Sequence, residues 1–222
     1  MDENILQLAA ALAKGVSHPE IVVSVCRILE QVVSDSKLVG NNWHPLGFLQ
    51  FKLGRLSDNA SLKLHIWPEN CRKVQDPSWL LHRLEWYLYS HILVGTITNN
   101  TYSVVEVSEA SFATNKLYKV ELDGMFSIIR DSGKLVNCKM TSRKKYSAGE
   151  SYEVSDDDFH ATIVPDTKWA ATVVLSPPSS RDAPDVVGSL DGKETYSYER
   201  SPCEPDMLIE ITNRLRISLA CT

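Results

Sequence analysis

The sequence predicts a mainly β fold, an antiparallel barrel or sandwich with helices at its two ends. Three observations carry this reading. Between about residues 45 and 176, short apolar or alternating segments recur with turn residues between them, the pattern of many short strands. The first 36 residues instead space their apolar side chains by three and four, the period of a helix. The same helical spacing returns near the end at Leu208, Ile211, Leu215 and Leu219, after Pro205-Asp206.

The elements follow in order. Ile5, Leu6, Leu8, Ala9 and Leu12 fall on one helical face, and Gly15 interrupts the run. Ser17-His-Pro-Glu20 then has the form of a capping box, with the Ser17 hydroxyl near an orphan N–H and Glu20 reaching back. Val22, Val25, Cys26, Leu29, Val32 and Val33 make a second apolar stripe. That stripe is expected to pack on the outside of the following domain or against a second copy of the chain, a homodimer. Residues 1 to 40 thus read as a helical extension, and residues 45 to 176 as the β domain. Its expected strands include 46–53, 62–67, 79–97, 101–108, 116–122, 126–130, 135–141, 151–154, 160–165 and 169–175. Residues 177 to 193, rich in Pro, Ser and Asp, read as loop. Residues 177 to 222 as a whole form a loop and closing segment packed on the β domain.

Composition narrows the function. The net charge is −5, and the densest basic run is Arg143-Lys144-Lys145. A nucleic-acid binder needs a broader cationic footprint, so none is expected as a partner. No apolar run is long enough to span a bilayer, so no membrane partner is expected either. The start, Met1-Asp-Glu-Asn, lacks the basic opening of a secretory signal. Five scattered cysteines contain no Cys-x-x-Cys pair, which argues against a zinc ribbon or a disulfide framework. Reduced thiols and a cytoplasmic location are the simplest expectation. Neither a Gly-x-Ser-x-Gly elbow nor a phosphate-binding glycine loop is present.

Two segments hold the chemistry. The first runs from His82 through Leu84, Trp86, Leu88 and Ser90 to Gly95. Read as one strand, it places those alternate residues on one face. The second opens at Gly149, passes the acidic turn Asp156-Asp157-Asp158 and reaches His160, with Thr162 on the same parity. These segments resemble the paired motifs of the cupin superfamily. On the first motif, the opening glycine falls on Asp76, the two histidines on His82 and Leu84, the glutamate on Leu88 and the closing glycine on Gly95. On the second, Gly149 and His160 match, while Ser155, Asp157 and Val164 stand for the family's Pro, Gly and Asn.

The resemblance implies a jelly-roll barrel holding one divalent metal, such as Fe(II), in its mouth. It also implies that two of the four ligands are replaced by leucines here. A remaining metal site would use His82, His160 and a carboxylate, with Asp158 at the right parity; a two-histidine, one-carboxylate set suffices for iron oxygenases. Leu84, Trp86, Leu88, Ser90 and Thr162 are expected to line the pocket. The leading expectation is a divergent cupin that binds a small molecule, its metal chemistry reduced or lost. The alternatives are an iron-dependent dioxygenase and a metal-free epimerase or isomerase in which a histidine moves a proton.

Overall fold

The computed structural model describes residues 3–34, 41–56, 60–176 and 183–220. It is mainly β, with two antiparallel sheets and helices towards both ends. Helices α1 (Glu3–Lys14) and α2 (His18–Ser34) come first and α3 (Pro205–Ala220) last. Between them lie β1 (Asn42–Trp43), β2 (Leu49–Arg55), β3 (Ser61–Trp67), β4 (His82–Arg83), β5 (Leu88–Val94), β6 (Thr96–Val107) and β7 (Asn115–Asp123). There follow β8 (Phe126–Ser147), β9 (Ser151–Val154), β10 (Phe159–Ile163), β11 (Ala170–Ser176), β12 (Asp185–Gly188) and β13 (Thr195–Glu199).

One sheet has the order β1-β2-β3-β11-β5-β9, the other β13-β8-β6-β10-β4-β12-β7. In the second, β7 also pairs with β8. The hydrogen-bonded path β8-β6-β10-β4-β12-β7 therefore returns to its start. The chain changes sheet repeatedly, from β4 to β5 to β6 and again from β8 through β9 and β10 to β11. Two glycines serve the same corner. Gly95 and Gly149 both have left-handed φ, 77° and 87°, a region open to glycine at little cost. The Ala148 N–H donates to the Gly95 carbonyl, and the Gly149 N–H to that of Ile92.

The helices explain the first sheet. In β3, Leu62, Leu64 and Ile66 point to one face and join a core with Leu49, Phe51 and Leu53 of β2. Ile5, Leu8 and Leu12 of α1, Val25, Ile28 and Leu29 of α2, and Leu208, Ile211, Leu215 and Leu219 of α3 close that core. The stripe of α2 is thus covered by the chain's own sheet: Val22, Val25 and Leu29 are buried and Cys26 half-buried. The side chains of Val32 and Val33 lie outside the described residues, as does Cys221. Leu6 departs from expectation and is exposed; the buried face of α1 follows Ile5, Leu8 and Leu12, and Leu6 is one step around the helix from it.

The capping box forms in half. Glu20 accepts from the Ser17 N–H at 3.1 Å, as expected, but the Ser17 hydroxyl also donates to the Glu20 carboxylate at 2.6 Å. Three strand readings need correction. The segment 79–97 is not one strand, because the chain leaves β4 in one sheet and re-enters the other at β5. The segments 126–130 and 135–141 are a single strand, β8, with Gly133 at φ 74° where its pairing with β7 shifts register. The expected loop 177–193 contains β12, and β13 follows it; both belong to the seven-stranded sheet. Their turn-rich flanks hid short strands that pairing partners stabilise. Residues 177–182 of that segment lie outside the described residues.

Candidate functional site

Covering the outer face of β2 and β3 with helices turns their polar parity inward. Gln50 and Lys52 of β2, and Lys63, His65 and Trp67 of β3, face a cleft. The cleft has an inner part of about 70 Å³ and an outer part of about 280 Å³, both bordered by His44, Lys63, His82, Leu84 and Trp86.

The structure brings His82 and His160 together. They are cross-strand partners on β4 and β10, with ring centroids 4.4 Å apart. Each ring is held by its Nδ1. His82 donates to the Leu80 carbonyl at 2.8 Å, and His160 donates to the Asn99 amide oxygen at 3.0 Å. A neutral imidazole that donates through Nδ1 carries its lone pair on Nε2. His160 Nε2 is buried and has no protein partner among the described residues. Two further histidines stand in the same cleft. His44 stacks on Phe48 at 4.2 Å and accepts the Leu46 N–H through Nδ1. His65 meets Phe48 at 4.4 Å. The turn that carries His44 requires Gly47, which has φ 86° and lies where a Cβ would stand 2.6 Å from Val74.

All four rings are kept neutral. Burial lowers each pKa first. His65 falls to about 3, with Lys63 and His82 adding to the effect. His44 is held well below 6.5 by burial and then by His65, Arg200, His82 and Lys63. His160 is held well below it by burial and then His82. In His82 the bond to Leu80 opposes the lowering by burial. The Lys63 pKa is itself lowered, by burial and then by Lys52, with Arg200 contributing and Glu85 opposing.

Of the expected pocket residues, Leu84, Trp86, Leu88 and Thr162 line the inner cleft. Ser90 is fully buried and is not part of the cleft wall. Asp158 is not brought to the histidines. It is exposed, and its carboxylate accepts the Ser155 N–H at 3.3 Å, closing the acidic turn. The parity argument failed because β10 starts only at Phe159; Asp158 belongs to the turn. Among the described residues, no three His, Cys, Asp or Glu side chains converge in a way that would hold a metal ion. The donor set therefore does not fit the metal that the resemblance implies.

His44, Lys63, His65, Tyr152 and Arg200 were not among the expected cleft residues. Only one signal was available. Lys63, His65 and Trp67 alternate with Leu62, Leu64 and Ile66, so whichever partner covered the leucines would turn the others inward. Comparison with known proteins adds nothing: no protein-family model matches the chain, and no curated protein matches it.

Proposed function

We propose that this chain is a divergent, cupin-like β-barrel protein that binds a small molecule in the histidine-lined cleft without a resident metal. The carrying observation is the cross-strand pair His82 and His160, both neutral and both holding a lone pair on Nε2. Among the described residues, three unsatisfied side-chain atoms border the same cleft: His160 Nε2, Ser176 Oγ and Gln75 Oε1. A buried polar atom without a partner is costly, and a ligand with hydrogen-bond donors relieves that cost. Trp67, Trp86, Phe48 and Tyr152 supply apolar walls of the kind small-molecule sites use.

Several features support the cupin-like reading. Leu84 and Leu88, at the positions of the missing ligands, line the same cleft as His82 and His160. The two motif glycines meet at one corner. The closed pairing path and the repeated sheet changes suit a jelly-roll barrel. A metal-free proton-transfer enzyme is a second reading, favoured by the neutral rings, either of which has the form of a general base. The dioxygenase reading loses its carboxylate, since Asp158 caps a turn.

A fragment screen read by tryptophan fluorescence tests the proposal. Bound fragments are expected to perturb Trp86, and binding is expected to weaken in His160→Asn and Trp86→Ala while the fold persists. Elemental analysis of protein purified without chelators is expected to give less than one metal per chain. Stoichiometric iron that both His82→Ala and His160→Ala remove would replace this reading with the oxygenase.

A further inference from the structure

The outer cleft is built around positive charge. Lys52 and Lys63 reach it from β2 and β3, and Arg200 from just beyond β13. Among the described residues, none of the three is in ion-pair distance of a carboxylate. The Arg200 Nε–H donates to the Ser127 hydroxyl at 2.7 Å, which fixes the guanidinium at the cleft. Lys63 Nζ sits 5.0 Å from the centroid of the Trp86 ring, and Lys63 and Arg200 are both half-buried. Among the described residues, Glu85 is the one carboxylate that lines this part of the cleft. Like charges gathered at a partly dry wall repel one another, and an anion bound between them removes that cost.

Beyond the cations the wall combines the apolar Leu84, Trp86, Val120 and Val186 with the polar Gln50 and Gln75. At the inner end stand the lone pairs of His82 and His160. Resting on the reading of the cleft as a small-molecule site, we infer that its ligand is a small organic oxyanion with a hydroxyl or N–H at the opposite end. The oxyanion lies among Lys63, Arg200 and Lys52. The apolar body packs on Trp86. The donor end meets the Nε2 atoms of the histidine pair. The cleft volume, about 280 Å³ outside and 70 Å³ inside, sits at the small end of ligand sites and suits a single-ring compound.

Four single-ring probes separate the possibilities: 4-hydroxybenzoate, phenyl phosphate, the neutral 4-hydroxybenzamide and the cationic 4-hydroxybenzylamine. Each is titrated into the full chain, with tryptophan fluorescence and calorimetry as readouts. One of the two anions is expected to bind at least about tenfold tighter than the amide, with the amine weakest. Which anion leads tells a carboxylate site from a phosphate site. Lys63→Met and Arg200→Met are each expected to weaken the anion about tenfold, to leave the amide unchanged, and to flatten the salt dependence. If either variant fails to fold, Lys52→Gln and the ranking of the four probes on the unmodified chain still decide. Affinity of both anions no greater than that of the amide, or preference for the amine, overturns the inference. If none of the four binds while other fragments do, the anionic ligand is wrong and the small-molecule site stands. If no fragment binds at all, the site reading falls and takes the inference with it.

Discussion

Asp185 is the side chain on which most local electrostatics converge. It is 1% exposed, on β12, and its carboxylate pairs with Arg83 of β4 and Lys119 of β7. It thereby ties together three strands that pair in the same place. Removing one partner of a buried charge set leaves the others uncompensated. Arg83 and Lys119 keep access to water, so Asp185→Asn is expected to cost about 1.5–3 kcal/mol in urea unfolding, the loss of charged hydrogen bonds; a loss under about 1 kcal/mol would mean the cations simply swing to solvent. The histidines give a pH prediction. A histidine in the unfolded chain takes its proton near 6.5, whereas folded His65 waits until about 3 and folded His91 until about 4. In that interval the unfolded chain binds more protons, so stability falls as pH drops below 6.5 and is unaffected by these groups above it. Each ring contributes at most about 1.4 kcal/mol per pH unit. Melting temperature is expected to be flat from pH 8 to 7 and to decline from 6.5 to 4.5, less steeply in His65→Gln. An unchanged melt across that range would mean that these rings are protonated as easily in the fold as out of it.

At the scale of elements, corners matter more than strand interiors. Gly95 joins β5 to β6, and a Cβ there would stand 2.3 Å from the Trp169 carbonyl oxygen in addition to needing φ 77°. Gly124, in the β7–β8 turn, has φ 57° but open space around it. Gly124→Ala is therefore expected to cost only the left-handed backbone term, about 1–2 kcal/mol. Gly95→Ala must also displace β11, because the obstacle is backbone, and is expected to leave little soluble folded protein. Comparable melting temperatures for the two variants would show that the corner can open. The start of α2 is docked in a different way. His18 Nδ1 lies 2.9 Å from His91 Nε2 on β5, and His91 Nδ1 lies 2.8 Å from the Ser151 hydroxyl on β9, which also accepts from Tyr89. This chain of side chains ties the helix to the edge of the six-stranded sheet.

For the whole molecule, the first helices are structural parts of the fold. Ile5, Leu8, Leu12, Ile21, Val25, Ile28 and Leu29 are buried in the core over the outer face of that sheet. Burying each such side chain stabilises by roughly 1.5–3 kcal/mol, so together they are of the same order as, or above, the roughly 5–15 kcal/mol net stability of a typical domain. A chain lacking residues 1–34 is expected to aggregate or to lack a cooperative melt. A monodisperse truncation with an unchanged melting temperature would refute this. The same cover sets the lining of the cleft, because it fixes which parity of β2 and β3 faces inward. Helix packing and the lining of the cleft are coupled through one sheet.

Periodicity alone determined the mainly β centre, the three helices and most of their buried faces, with Leu6 the exception. It did so because alternation and three-four spacing are local records of which side meets water. The resemblance directed attention to His82 and His160, which pairing across β4 and β10 then set face to face. Short strands β12 and β13 were not legible, since four or five residues in turn-rich sequence become strands only when long neighbours supply their hydrogen bonds. Asp158 misled because strand parity applies only inside a strand, and its segment is a turn. Nor could the sequence say that Lys63 and His65 point inward, or that Arg200 returns to meet them. That depends on which surface covers the leucines of β3, a contact made by helices distant in the chain, and only the tertiary structure decides it.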